Sequence, residues 1–164
     1  PSIRTFVREQ MVKQIEELYG KPDVIAGVAT GAIGIGMLVA DLMNLPFIYV
    51  RPNSKKHGRK NQIEGQFSKS QKVVVIEDLI STGNSSLMAI DALRSEELEI
   101  KGMISIFTYG FDISYNNFRD KKVNFHSLSS YDYLLEQALD IKYISDDEFK
   151  ILKTWKKNPN EWSI

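Results

Sequence analysis

Two acidic residues followed by a run of hydroxyl side chains form the segment of this sequence that is best suited to chemistry. Glu77 and Asp78 come directly after four consecutive apolar β-branched residues. A short polar loop then follows, which comprises Ser81, Thr82, Gly83, Asn84 and Ser85. N–H groups at the start of a helix bind phosphate, because the first turn has unpaired donors and the positive end of the helix dipole. Carboxylates beside such a turn can accept hydrogen bonds from sugar hydroxyls, so the segment indicates a site for a phosphorylated sugar.

Other structures would give a similar pattern at this segment. An ordinary polar turn with a serine N-cap is one, and a solvated strand end is another. A receiver-type phosphoacceptor domain also carries acids at strand ends, but its acids are spread over several strands, and we find no such spread in this sequence.

A second turn of small residues spans positions 29–34 and includes Thr30 and Gly31. Backbone donors in a turn of this kind can approach a phosphate closely. The turn has neither the Gly-Lys-Ser/Thr of a P-loop nor the glycine spacing of a dinucleotide fingerprint. Taken alone, it is equally well explained as a tight connection that packs a helix on a sheet.

Positive charge is concentrated between positions 51 and 60, where five lysine and arginine residues accompany a histidine. A dense local cluster of cations suits a multiply charged anion such as pyrophosphate. A solvated surface loop is the alternative interpretation of such a run.

The composition is that of an ordinary globular domain. The 164 residues include 21 basic and 21 acidic side chains and no cysteine. Zero net charge gives no indication of a general nucleic-acid or membrane partner, and the lack of cysteine excludes thiolate nucleophiles and thiolate metal sites. No apolar run has the length of a membrane span, and the N-terminus has no signal-peptide pattern. We therefore expect a single domain over 1–164, located in the cytoplasm.

Helices and strands alternate along the predicted chain. Strands are predicted over 24–28, 47–50, 72–76, 100–109 and 123–127. Helices are predicted over 2–19, 35–43, 85–98, 113–119 and 130–140, and Ser145 with Glu148 forms a capping box that opens a last helix. This order indicates an open, mostly parallel α/β sheet flanked by helices. Ligands bind beyond the carboxyl ends of the strands in such sheets, where loops 29–34, 52–66 and 78–84 are expected to meet. The loop over about 52–66 is expected to be mobile.

Five segments together resemble the type I phosphoribosyltransferases, and within that family the enzymes that act on orotate. They are 27–32, 51–58, 61–65, 73–86 and 106–110, and the similarity extends over roughly residues 2–140. The resemblance implies that the chain transfers the phosphoribosyl group of phosphoribosyl diphosphate (PRPP) to orotate. The products of that reaction are orotidine 5-monophosphate (OMP) and pyrophosphate, in a step of pyrimidine biosynthesis.

The resemblance also implies a role for each candidate residue. The ribose hydroxyls are assigned to Glu77 and Asp78. The 5-phosphate is assigned to Ser81, Thr82, Gly83, Asn84 and Ser85, with Ser81 also near the base. Pyrophosphate is assigned to Thr30 and Gly31, and catalysis on it to Arg51, Lys55 and His57. Magnesium is held mainly by PRPP, with Asp78 as the candidate protein ligand, and the basic loop acts across a homodimer.

Two departures from the family pattern concern the base. Nothing in this sequence matches the N-terminal segment that covers the base in the family, and Thr108 stands near a position where some relatives have an arginine. A different nucleobase as acceptor therefore remains an alternative. A regulator of the same fold that senses PRPP or a nucleotide without catalysis is another, and a plain α/β scaffold is a third.

Overall fold

The computed structural model describes residues 1–51 and 62–159. Six helices and six strands lie within these ranges. The helices are α1 (Ser2–Tyr19), α2 (Ala32–Met43), α3 (Asn84–Ser95), α4 (Asp112–Asp120), α5 (Tyr131–Asp140) and α6 (Asp146–Lys157). The strands are β1 (Val24–Val28), β2 (Phe47–Val50), β3 (Ile63–Glu64), β4 (Lys72–Ile80), β5 (Glu99–Thr108) and β6 (Phe125–Ser130).

The six strands form one sheet in the order β3-β2-β1-β4-β5-β6. Strands β2, β1, β4, β5 and β6 run parallel to one another, and the short β3 pairs antiparallel with β2. The predicted mostly parallel α/β sheet is thus confirmed. Since β1 and β4 are neighbours and parallel, the turns that follow them leave the sheet at the same edge.

Apolar side chains fill both faces of the sheet, as expected for strands covered on both sides. On one face, α1 and α2 pack on β1 and β4 through Met11, Val39, Ile25 and Val74. On the other face, Ile90 of α3 and Phe118 of α4 belong to the cluster that covers the neighbouring strand positions. The run Val73–Ile76 is completely buried. Burial of each such side chain contributes roughly 1.5–3 kcal/mol to the free energy of folding. This run therefore anchors the strand that carries Glu77 and Asp78.

Several boundaries differ from the sequence prediction. Strand β4 continues to Ile80, because it pairs with β5 as far as Ile80 and Thr108. Glu77 and Asp78 therefore lie within the strand and not after it. Helix α2 begins at Ala32, three residues earlier than predicted. The region predicted as a loop over 52–66 contains β3, where the buried Ile63 pairs with Val50. Helix α3 ends at Ser95, and β6 lies at Phe125–Ser130, two to three residues later than predicted.

The capping box that opens α6 is confirmed. The Glu148 carboxylate accepts from the Ser145 backbone N–H at 2.8 Å, and the Ser145 hydroxyl accepts from the Glu148 N–H at 3.3 Å. Within the described ranges, we find no helix with the length and apolar character to cross a membrane.

Candidate active site

Glu77 is a buried carboxyl near the carboxyl end of β4, with only 5% of its surface exposed. Its Oε2 accepts a hydrogen bond from the Ser86 hydroxyl at 2.8 Å, and its Oε1 accepts from the Asp78 backbone N–H at 3.1 Å. Burial raises the pKa of Glu77 to about 8; the Asp78 side chain adds to the rise, and the Ser86 hydroxyl opposes it. This group is therefore poised to change charge close to neutral pH, as perturbed groups at functional sites often do.

Asp78 is exposed beside Glu77, and its Oδ1 accepts from the Leu79 backbone N–H at 2.8 Å. The carboxylate lies directly against Gly31 in the turn after β1. A Cβ atom added at Gly31 would lie 2.5 Å from Cγ of Asp78 and closer still to Oδ2. A glycine is thus required at this position for the acidic pair and the small-residue turn to share the sheet edge.

The hydroxyl-rich loop leads directly into α3. Gly83 occupies the N-cap position with φ of 81°, a left-handed conformation that favours glycine. A Cβ atom there would lie 2.5 Å from Cε2 of the buried Phe118. The Asn117 amide donates to the Thr82 carbonyl at 3.0 Å, which fixes the loop from α4. Because a glycine N-cap has no side chain to offer, the first-turn N–H groups of α3 are available to an anion.

The turn after β1 is held against the neighbouring strand. The Ala29 N–H donates to the Val50 carbonyl at 2.8 Å, and the Ile33 N–H donates to the Thr30 carbonyl at 3.3 Å. Thr30 and Gly31 are both exposed at the sheet edge. The structure therefore brings together the two turns that the sequence predicted to meet.

Arg51 follows β2 and lies at the start of the basic segment. Its backbone N–H donates to the Gln62 carbonyl at 2.9 Å, and the Gln62 amide donates to the Arg51 carbonyl at 3.0 Å. Its guanidinium lies 3.5 Å from the Glu64 carboxylate, with 37% of the Arg51 side chain exposed. Arg51 is thus anchored at the edge of the sheet, whereas the predicted candidates Lys55 and His57 lie outside the described residues.

A cavity of about 880 Å³ adjoins the hydroxyl loop on the side of β5. Its walls come from Ser81 and Thr82, from the connection between β5 and α4, and from the second half of α6. The sequence prediction did not include α6 in the site. The only signal for it was the density of lysine and aromatic side chains over 149–157, which a surface helix would also show.

No group of three or more His, Asp or Glu side chains suited to a metal occurs within 1–51 and 62–159. Asp78 provides one exposed carboxylate next to the turn after β1 and the loop that leads into α3. That arrangement fits Mg²⁺, which keeps several waters and is commonly bound by one or two carboxylates together with substrate phosphates.

The sequence model of a family described as the phosphoribosyl transferase domain matches residues 3–126. Two curated relatives, both called orotate phosphoribosyltransferase, extend the match over nearly the whole chain. The one from Cytophaga hutchinsonii is 49% identical over 99% of this chain and 78% of its own length. The one from Phocaeicola vulgatus is 48% identical over 99% of this chain and 76% of its own length.

Solved structures give the same result for the fold. UMP synthase from Leishmania donovani superposes with a TM-score of 0.77 at 27% identity, covering 95% of this chain and 33% of that one. Orotate phosphoribosyltransferase from Aeropyrum pernix superposes with a TM-score of 0.75 at 24% identity, covering 86% and 77%. The chain belongs to the phosphoribosyltransferase family. The curated relatives that it matches over 99% of its length are orotate phosphoribosyltransferases.

Proposed function

We propose that this protein transfers the 5-phosphoribosyl group of PRPP to orotate, giving OMP and pyrophosphate in pyrimidine biosynthesis. The observation that carries the proposal is 45–49% identity to curated orotate phosphoribosyltransferases over nearly the entire chain. The geometry supports it, because two anion-binding turns and an acidic pair meet at one sheet edge.

Each part of PRPP has a matching part of this edge. The first turn of α3 and the loop from Ser81 to Ser85 receive the 5-phosphate through N–H and hydroxyl donors. Glu77 and Asp78 accept hydrogen bonds from the ribose hydroxyls. Thr30 and Gly31 receive the pyrophosphate, which the contact between Gly31 and Asp78 keeps next to the ribose. The sugar is thereby held at both ends, with its reacting carbon between them.

Catalysis at this site depends on positioning the base against the sugar and on stabilising the charge that develops on the leaving pyrophosphate. The bond from the sugar to pyrophosphate loosens, so positive charge develops on the ribose and negative charge on the leaving group. Fixed donors aimed at the leaving group stabilise that transition state, and holding the base against the sugar removes much of the entropic barrier. Arg51 lies at the start of the segment that contains Lys55 and His57, and we assign these three cations to the leaving pyrophosphate.

Asp78 is the residue that we assign to a magnesium ion shared with PRPP. Magnesium bound there supplies neutralisation of the pyrophosphate charge. The position of Asp78 against Gly31 would hold that ion beside the turn assigned to pyrophosphate, and the buried Glu77 would accept a hydrogen bond from a ribose hydroxyl. We further propose that the chain acts as a homodimer in which the segment with Lys55 and His57 serves the neighbouring subunit.

A single spectrophotometric experiment tests the proposed reaction. The absorbance of orotate is followed in the presence of PRPP and Mg²⁺, with adenine, hypoxanthine and uracil as alternative acceptors. We expect PRPP-dependent consumption of orotate, and no comparable consumption of the three other bases. Turnover of a purine in place of orotate would assign the chain to a different acceptor, and no turnover of any base would remove the catalytic assignment.

A further inference from the structure

Ser86 is a buried serine of α3 whose hydroxyl is directed at the acidic pair on β4. Only 2% of its surface is exposed, and its Oγ donates to Oε2 of Glu77 at 2.8 Å. The partner carboxyl is buried as well, with 5% of the Glu77 surface exposed. Ser86 lies one position beyond the loop assigned to the 5-phosphate, so the contacts proposed for PRPP do not include it.

The hydroxyl of Ser86 does not make the local bond that is common for a serine in a helix. Ser114 provides the comparison, since it occupies the same third position of α4 and is completely buried. Its hydroxyl donates to the Phe111 carbonyl, three residues earlier, at 2.7 Å. The equivalent carbonyl for Ser86 is that of Gly83, which accepts from the Leu87 N–H at 2.9 Å. Ser86 instead donates to a side chain nine residues away on a different element.

Each oxygen of the Glu77 carboxyl is held by one donor. Oε1 accepts from the Asp78 backbone N–H at 3.1 Å, and Oε2 accepts from the Ser86 hydroxyl. The terminal torsion of a glutamate is broad by itself, so two donors on different oxygens are needed to fix the plane of the carboxyl group. A carboxylate has about four acceptor positions, so positions remain for a sugar hydroxyl. The Ser86 hydroxyl therefore orients Glu77 without filling its capacity to accept.

The same turn of α3 presents the N–H groups that are assigned to the 5-phosphate. Its start is fixed by the close contact of Gly83 with Phe118, and Leu87 holds the following turn in the core. Ser86 thus has a fixed position relative to the phosphate-binding loop, and its hydrogen bond extends that position to the Glu77 carboxyl. One helix turn thereby sets the distance between the group that binds phosphate and a group that accepts from the sugar.

We infer that Ser86 is a positioning residue for ribose recognition, whose hydroxyl orients the Glu77 carboxyl toward a hydroxyl of the bound sugar. The inference rests on the proposed function, which assigns Glu77 to the ribose, and deepens it by naming the group that sets the direction of that carboxyl. Without the serine hydroxyl, Oε2 of Glu77 loses a buried donor and the carboxyl can rotate about its terminal torsion. The preference of the site for a ribose over a deoxyribose is the property that should fall.

Three nucleotides that differ by single ribose hydroxyls test this inference. They are OMP and the two OMP analogues that lack either the 2-hydroxyl or the 3-hydroxyl. In calorimetric titrations of the wild-type chain, loss of at least one hydroxyl is expected to weaken binding by about tenfold, the value of a hydrogen bond to a buried partner. Ser86→Ala is expected to bind OMP about tenfold more weakly and that analogue as the wild type does, which leaves a preference within about threefold.

Three further variants separate the hydrogen bond from packing. Ser86→Cys keeps nearly the same size, but a thiol is a weak donor, so the preference is expected to be lost. This variant also decides the question if Ser86→Ala does not fold. Ser86→Thr keeps the hydroxyl and is expected to keep most of the preference. Ser114→Ala is the matched control, because it removes a similarly buried hydroxyl from the same position of α4, and its preference is expected to equal that of the wild type.

The possible outcomes assign failure to one proposal or the other. If the wild type prefers OMP over an analogue and either Ser86→Ala or Ser86→Cys keeps that preference, the role of Ser86 is wrong while the proposed function stands. If both variants weaken all three nucleotides equally, Ser86 supports the loop without orienting Glu77, and the inference is overturned. If the wild type binds OMP without preferring either hydroxyl, the assignment of Glu77 to the ribose fails together with the inference. If the wild type does not bind OMP, the proposed function itself fails.

Discussion

Replacing Glu77 by glutamine is expected to change how the stability of the protein depends on pH. Burial raises the pKa of Glu77 to about 8, from the 4.5 of an ordinary glutamate. Between these two values the folded chain keeps a proton at this site that the unfolded chain has released. Because the folded state then binds more protons than the unfolded state, its stability falls as the pH rises through this window.

The slope of the free energy of unfolding against pH is set by the one proton that the folded state retains at Glu77. A difference of one bound proton changes the free energy of unfolding by about 1.4 kcal/mol for each pH unit. Relative to Glu77→Gln, the wild type should therefore lose stability at about that rate between about pH 5 and pH 7, at about half that rate near pH 8, and the difference should level off about one pH unit above the raised pKa. The glutamine amide is neutral throughout, and its carbonyl can still accept the Ser86 hydroxyl that donates to Glu77 at 2.8 Å.

Urea unfolding at five pH values from 5 to 9 measures this difference directly. Glu136→Gln is the matched control, since Glu136 is an exposed carboxyl on α5 and lies outside the site. The difference in stability between wild type and Glu77→Gln is expected to change with pH, whereas the difference between wild type and the control is expected to show no comparable slope. A difference between wild type and Glu77→Gln that stays constant from pH 5 to pH 8 would refute the raised pKa and the role of burial in causing it.

Three other substitutions test the site. Gly31→Ala is expected to displace the Asp78 carboxylate and weaken PRPP binding by about tenfold or more, because lost hydrogen bonds to a charged group carry such a factor; an unchanged dissociation constant would contradict the contact. Asp78→Asn is expected to weaken PRPP binding by a similar factor in calorimetry, with equal affinity counting against the ribose assignment. Lys55→Ala is expected to lower kcat by about a hundredfold with an unchanged thermal unfolding temperature, because it removes one donor to the leaving group; normal turnover would exclude it from the mechanism.

The centre of the sheet could be predicted from local sequence because its residues leave few alternatives. Four apolar β-branched residues in succession are compatible with a strand buried on both faces, and Val73–Ile76 forms one. The end of that strand could not be predicted in the same way. The polar residues after Ile76 look like a loop, and only the pairing of β4 with β5 as far as Thr108 keeps them in the sheet.

The parts of the site that the sequence did not predict all depend on long-range contacts. Strand β3 is two residues long and exists because Ile63 and Glu64 pair with Val50 and Tyr49. The place of α6 depends on aromatic rings that are far apart in sequence, such as Tyr109 and Trp155. The roles assigned to Lys55 and His57 stay predictions, because these residues lie outside the described part of the chain.

The close approach of Gly31 to Asp78 also limits how this site can change in evolution. The two residues are distant in sequence and occupy one small volume, so a side chain at position 31 is accommodated only if the residue at position 78 becomes shorter or moves. The effects of substituting both are therefore not expected to add, which a double-mutant cycle would reveal as a coupling energy. Changes in the turn that contains Gly31 and in the acidic pair that contains Asp78 are accordingly expected to occur together.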